Sequence, residues 1–77
     1  MELRLFYRPT CGFSFKVLNF IEQNNLNVEL VNISADDAAL EELVRVGGKQ
    51  QVPCLFIDGK AMYESNDIID WLRENAN

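Results

Sequence analysis

The residues best suited to chemistry lie in the stretch Pro9-Thr10-Cys11-Gly12-Phe13-Ser14. It follows a short apolar run, Leu3 to Tyr7, and precedes an amphipathic run, Phe15 to Gln23, which together predict a strand, a tight turn and a helix opening at Cys11. The first turn of a helix presents free backbone N–H groups and the positive end of the helix dipole, and both favour a thiolate. The sequence therefore predicts a lowered pKa and a nucleophilic role for Cys11.

The neighbours of this cysteine refine that prediction. Gly12 has no side chain and lets a second molecule approach the sulfur. Ser14 lies over the same helical turn, where a C-x-x-C redox motif has its second cysteine, so the site has one sulfur and a hydroxyl able to donate to the thiolate. A lone cysteine in a chain without histidine is also often a small buried hydrophobe. The position after a strand favours the functional interpretation.

The composition indicates one small globular domain, residues 1–77. The chain carries a net charge of −5 and two cysteines among 77 residues. An acidic chain without a basic stretch argues against nucleic acid and anionic membranes as partners, and no apolar run approaches the ~20 residues of a membrane span. Because the N-terminus lacks a secretory-signal pattern and the cysteines form no disulfide scaffold, the expected compartment is the reducing cytoplasm.

The apolar patterns predict strands over roughly residues 2–7, 27–33, 53–57 and 61–63, with helices between and after them. The first strand-helix-strand unit implies a parallel pair, and Asp58-Gly59 predicts a hairpin. Ser34 is the predicted N-cap of the second helix, and Gly47-Gly48 its predicted end. The order is β-α-β-α-β-β-α, which predicts an α/β domain with a mixed four-stranded sheet and three helices on its two faces.

The sequence also predicts the backbone conformation or the burial of several residues outside the Cys11 stretch. The Val52-Pro53 bond is a candidate for the cis form at the start of a strand. Cys54 is predicted to be a buried, inert thiol, and a pairing with Cys11 is the alternative. Trp71 and the phenylalanines are predicted to be core or partly covered surface, except Phe13, which is expected to form an exposed rim for a ligand.

Three motifs together resemble the glutaredoxin family: Tyr7-Arg8-Pro9-Thr10-Cys11-Gly12-Phe13-Ser14, Val52-Pro53 and Glu64-Ser65-Asn66-Asp67. The resemblance covers nearly the whole chain and implies a thioredoxin fold, in which the Val-Pro peptide is cis and faces the active cysteine. The Glu64-Ser65 pair is more similar to the glutathione-binding pair in the N-terminal domain of glutathione transferases. No all-helical second domain follows, so a complete transferase is not expected.

The tetrad Cys-Gly-Phe-Ser is that of the monothiol glutaredoxins, which hold a [2Fe–2S] cluster between two subunits with two glutathiones. Two features of those proteins are missing: a Lys-Gly with an extended loop before the cysteine, and a Trp-Pro before the third strand. Here the strand runs directly into Arg8-Pro9-Thr10, as in the dithiol type. The resemblance thus implies the surroundings of a catalytic glutaredoxin and the tetrad of a cluster carrier.

The resemblance also implies a glutathione site. Arg8 would bind the glycine carboxylate, Val52 would pair its backbone with the cysteinyl unit, and Ser65 and Asn66 would attract a carboxylate at a helix N-terminus. Glu64 would accept the γ-glutamyl ammonium. Solvation of Arg8 and plain helix capping by Ser65 and Asn66 are the alternatives. The predicted glutathione-binding residues are Arg8, Thr10, Gly12, Phe13, Gln50, Val52, Pro53, Glu64, Ser65 and Asn66.

Two main functions follow from this resemblance. The first is a glutathione-dependent thiol-disulfide oxidoreductase, a monomer that reduces glutathionylated or disulfide-containing proteins through Cys11 by a monothiol route, with Ser14 assisting. The second is a dimeric iron–sulfur carrier, in which Cys11 of each subunit and one glutathione thiolate per subunit ligate a [2Fe–2S] cluster. A redox-inactive glutathione-binding module is a further alternative. The short loop before Cys11 favours the enzyme.

Overall fold

A computed structural model describes residues 1–76. Its strands are β1 (Leu3–Tyr7), β2 (Glu29–Asn32), β3 (Cys54–Ile57) and β4 (Lys60–Met62), and its helices are α1 (Gly12–Gln23), α2 (Asp37–Glu42, continued by a π-helical turn over Leu43–Gly47) and α3 (Ser65–Asn75). The sheet order is β2-β1-β3-β4, with β1 parallel to β2 and the other pairs antiparallel. The predicted mixed four-stranded sheet with three helices, a thioredoxin fold, is confirmed.

The sheet buries an apolar layer on each face. Leu5 and Leu55, partners across β1 and β3, belong to the core covered by α1 and α3. Phe6 and Cys54, the next pair, belong to the core covered by α2. Successive side chains of a strand point to opposite faces, which is why β1 carries apolar residues on both of its sides.

The glycine-containing turns adopt the predicted conformations. Asp58 and Gly59 have φ values of 49° and 88°, the positive pair that a two-residue type I′ hairpin requires. Gly48, with φ at 89°, follows the π-helical turn in the left-handed conformation typical of a helix end. None of the helices within residues 1–76 is long and apolar enough to cross a membrane.

The predicted N-cap of α2 is wrong by two residues. The helix is capped by Asp36, whose Oδ1 accepts the Ala38 N–H at 3.0 Å. Ser34 lies in the preceding turn, where its own N–H donates to Asn32 Oδ1 at 2.9 Å. Both residue types cap helices well, and the Asn32 turn extends the connection far enough to leave that role to Asp36.

The prediction that Phe15 belongs to the core or to partly covered surface is also wrong, since 65% of this residue is exposed. The buried residues of α1 are Ser14, Val17 and Ile21, which repeat at helical spacing and form one stripe. Phe15 lies outside that stripe, so it reaches solvent despite its apolar ring.

An ion pair between Arg4 and Glu42 joins β1 to α2, and it makes the free energy of unfolding depend on pH. Arg4 Nη1 and Nη2 donate to the two Glu42 oxygens at 2.7 and 2.9 Å, and the side chains are 22% and 30% exposed. This hydrogen-bonded pairing with Arg4 lowers the pKa of Glu42 against the cost of burial. A carboxyl with a lowered pKa in the folded state stabilises that state above its unfolded pKa and loses this contribution as pH falls through the folded value.

We therefore expect Glu42→Gln to cost on the order of 1–3 kcal/mol of unfolding free energy near pH 7. The difference from wild type is expected to shrink as pH falls below the ordinary glutamate value, because wild-type Glu42 then becomes protonated. Urea unfolding of both proteins at several pH values measures this difference in unfolding free energy. Exposed Glu41 supplies the control variant, Glu41→Gln. Equal losses for the two variants would contradict the prediction.

Candidate active site

Cys11 sits where β1 passes into α1. It is the N-cap of α1, with an extended backbone (φ −93°, ψ 121°). Its N–H donates to the Arg8 carbonyl at 3.1 Å, and its own carbonyl accepts the Phe15 N–H at 3.0 Å. The first bond closes the turn and the second starts the helix, so the predicted strand-turn-helix arrangement is present and the sulfur lies at the free N–H groups of the first turn.

The surroundings of Cys11 stabilise its thiolate. Partial burial opposes ionisation of Cys11. Hydrogen bonds from the Ser14 backbone, the Ser14 side chain and the Phe13 backbone favour the thiolate, and so does the charge of Arg8. These favourable contacts outweigh the burial, so the pKa of Cys11 is lowered. The thiol is half-buried and stays accessible. These are the conditions of a reactive cysteine, since the thiolate is the nucleophile.

Ser14 has two contacts at this turn. It is fully buried, and its Oγ accepts the Arg8 N–H at 3.3 Å. A hydroxyl can accept and donate at once, which leaves its proton for the Cys11 sulfur. Ser14 therefore links the turn before the cysteine to the cysteine itself.

We expect Ser14→Ala to raise the pKa of Cys11 modestly and to retain most activity. The lost bond to a charged group is worth about 1.5–3 kcal/mol, and the backbone N–H groups around Cys11 compensate for much of it. A pH titration of thiolate absorbance and an assay with a glutathionylated peptide measure the two effects. Ser34→Ala, in a turn before α2, is the control. A Ser14→Ala protein without turnover would instead show an essential role for the hydroxyl.

The backbone of Val52 lies against the sulfur. The Val52-Pro53 peptide bond is cis, as the resemblance implied, and the Cys11 thiol points its Sγ at the Val52 carbonyl oxygen, 3.9 Å away. Parts of the chain that are 41 residues apart thus meet at the nucleophile. A main chain beside a cysteine can pair with the backbone of a bound peptide in the manner of a short strand.

A cavity of about 180 Å³ opens beside this contact, lined by Phe13, Gln51, Val52, Pro53, Glu64, Ser65 and Asn66. Phe13 is 68% exposed and forms a rim, as predicted. Arg8, Thr10 and Gly12 instead belong to the turn around Cys11. The cavity is lined by Gln51 and not by Gln50, which is exposed to solvent in the irregular segment before β3.

A cation from α1, Lys16, contacts the first turn of α3. Glu64 is the N-cap of α3 and makes no capping bond through its side chain. Asn66 does not cap the helix either, since its Oδ1 accepts a short hydrogen bond from Lys16 Nζ on α1. Lys16 could not be predicted at this position from the sequence, because no local pattern shows which helix ends become neighbours.

Cys54 has a different environment from Cys11. It is fully buried in the core under α2, and burial raises its pKa to about 11. Both cysteines are free thiols, so the prediction of a buried, inert Cys54 agrees with the structure and the alternative pairing does not form here. Within residues 1–76, no group of three or more His, Cys, Asp or Glu side chains is placed to hold a metal ion.

Comparisons with known proteins identify the family and the fold of this chain. The family model described as glutaredoxin matches residues 3–62. The thioredoxin-like protein BC3987 aligns with a TM-score of 0.81 at 23% identity, over 95% of this chain and 97% of its own. A buckwheat glutaredoxin–glutathione complex aligns with a TM-score of 0.74 at 22% identity, over 95% of this chain and 69% of the other.

A diazinon-metabolizing glutathione S-transferase of the silkworm Bombyx mori aligns with a TM-score of 0.79 at 22% identity. That alignment covers 100% of this chain and 39% of the transferase, so the similarity concerns one part of the larger enzyme. No curated protein sequence matches. At these identities the structural neighbours show the fold.

Proposed function

The chain belongs to the glutaredoxin family, whose model covers residues 3–62, and we propose that it is a glutathione-dependent thiol-disulfide oxidoreductase acting by a monothiol route. One observation carries the proposal: the accessible thiol with the lowered pKa, Cys11, lies 3.9 Å from the Val52 carbonyl, which lines the cavity. The complex of the buckwheat glutaredoxin with glutathione supports the choice of ligand.

The chemistry consists of two thiol-disulfide exchanges. The Cys11 thiolate attacks the glutathione sulfur of a protein–glutathione mixed disulfide, the disulfide between Cys11 and glutathione forms, and the substrate sulfur leaves and takes up a proton. The thiolate of a second glutathione then attacks the glutathione sulfur bound to Cys11. This step releases glutathione disulfide and returns the Cys11 thiolate. One free glutathione is therefore consumed for each mixed disulfide reduced, and the other half of the glutathione disulfide comes from the substrate.

Glutathione fits the polar groups around the cavity. Its cysteinyl unit would pair with the backbone of Val52, and its γ-glutamyl carboxylate would lie at the N-terminus of α3, near Ser65 and Asn66. The γ-glutamyl ammonium would face Glu64. The anionic ligand also gains from a cation, and Arg8, whose charge already acts on Cys11, would supply it.

A titration with glutathione followed by backbone amide shifts tests this site. We expect perturbations at Arg8, Cys11, Val52, Ser65 and Asn66, since these groups contact or adjoin the ligand. The Asp58-Gly59 hairpin lies at the other end of β3 and serves as the internal control. Perturbations confined to that hairpin would rule the site out.

A second candidate function is the iron–sulfur carrier, which the Cys-Gly-Phe-Ser tetrad favours. The chain fits a bridging [2Fe–2S] cluster in one respect, because it offers one accessible thiolate, Cys11, while Cys54 is buried. The remaining thiolates would come from a second copy and from glutathione. A visible absorption spectrum of anaerobically purified protein separates the carrier from the enzyme, and glutathione binding without turnover would indicate a passive binding module.

A further inference from the structure

Tyr63 joins the two chain segments that form the walls of the cavity. Its hydroxyl donates to the Lys49 carbonyl at 3.1 Å and accepts the Lys49 N–H at 3.2 Å. Lys49 lies just before the segment Gln51–Pro53, and Tyr63 lies just before Glu64–Asn66; these two segments, with Phe13, line the cavity. The Tyr63 side chain, which does not itself line the cavity, therefore links the two segments by hydrogen bonds.

We propose that Tyr63 is a positioning residue of the glutathione pocket: its hydroxyl sets the separation of the Gln51–Pro53 wall from the Glu64–Asn66 wall. The inference rests on the proposed function, since it concerns the same pocket. Residues 49–53 belong to no helix or strand, so ladder hydrogen bonds do not hold them in place. A fixed wall needs another anchor, and the pair of bonds to Lys49 supplies one.

Tyr63 is itself held in place by its surroundings. Its ring packs against the core under α2 and lies under Lys49 Nζ, 5.3 Å from the ring centroid. Burial raises the pKa of Tyr63, so the hydroxyl stays protonated near neutral pH and keeps the proton that it donates.

Gly47 leaves the space that the hydroxyl occupies. A Cβ at this position would collide with the Tyr63 hydroxyl and would lie 3.5 Å from the Ala61 Cβ. Gly47 is not one of the positive-φ glycines, so its backbone accepts alanine. Gly47→Ala would therefore displace the hydroxyl from Lys49 without altering a residue that lines the cavity.

Tyr63→Phe tests the inference, with Tyr7→Phe as the matched control that removes the other tyrosine hydroxyl. We expect Tyr63→Phe to raise the KM for glutathione about two- to tenfold, the loss that one net hydrogen bond produces. The turnover number and the pKa of Cys11 are expected to stay unchanged, because Ser14, Phe13 and Arg8 set that pKa. Hydrogen exchange of the Lys49 amide should accelerate, and Tyr7→Phe should change none of these quantities.

Gly47→Ala is the second variant, and its KM for glutathione is expected to rise by a similar factor. Combined with Tyr63→Phe, it should raise KM by less than the product of the two single effects, because both remove the same contact. An unchanged KM in Tyr63→Phe, or a fall in turnover and a pKa shift that accompany the KM change, would overturn the inference and leave the proposed function standing. A wild-type protein that does not use glutathione would instead overturn the proposed function.

Discussion

Replacement of Cys11 by serine is expected to reduce turnover of a glutathionylated peptide to the uncatalysed background. The proposed route passes through a disulfide between Cys11 and glutathione, and an alcohol has no accessible anion to replace the thiolate. The structure offers no substitute, because Cys54 is buried and has a pKa raised to about 11. The loss should appear in the rate of peptide reduction, with circular dichroism showing that the variant is folded.

Cys54→Ala is the matched control for this experiment. It removes the other sulfur of the chain and is expected to keep turnover, at some cost in stability from the small cavity that it leaves in the core under α2. A Cys11→Ser protein that still turns over, or a folded Cys54→Ala protein that does not, would contradict the assignment of Cys11 as the nucleophile.

Reversal of the charge at Arg8 is expected to have the next largest effect, through two independent causes. The positive charge of Arg8 contributes to the lowered pKa of Cys11, so Arg8→Glu should raise that pKa by placing a like charge near the thiolate. It should also repel anionic glutathione and weaken binding by about tenfold or more, the change that ~1.4 kcal/mol produces. Both effects should shrink at high salt, because Arg8 is only half-buried and salt screens charges that solvent reaches.

Lys60→Glu controls for the change in net charge. Lys60 pairs with Ile57 at the hairpin, and Ile57 pairs with Leu3, so Lys60 lies at the end of the sheet away from Cys11. The two variants carry the same net charge and differ in where it is changed. Equal losses of glutathione affinity would mean that overall charge, and not Arg8, controls binding.

Most of the fold could be predicted because each element has a local pattern. Asp58 and Gly59 are residue types that adopt positive φ values in a hairpin turn, and they do so here. The apolar residues on both sides of β1 match a sheet covered on both faces. The Cys11 turn could be predicted for the same reason, since a helix N-terminus stabilises a thiolate wherever the helix lies.

The parts that could not be predicted depend on tertiary neighbours. Lys16 contacts Asn66, which lines the cavity, because α1 and α3 pack side by side. The link from Tyr63 to Lys49 joins positions 14 residues apart that no periodicity connects. The N-cap at Asp36 was missed because Ser34 and Asp36 are both good caps, and the extent of the preceding turn decides between them. Contacts of this kind come from the packing of the elements and not from their local patterns.

In the proposed route Cys11 carries glutathione during turnover, and a mass measurement of the intermediate tests this step. Wild-type protein is mixed with a glutathionylated peptide, quenched with acid before glutathione is added, and digested. We expect one glutathionyl group on Cys11, free thiol on the peptide, release of the group when glutathione follows, and a Cys11 pKa below that of an ordinary thiol. An unmodified Cys11 with an ordinary thiol pKa and an unreduced peptide would contradict it.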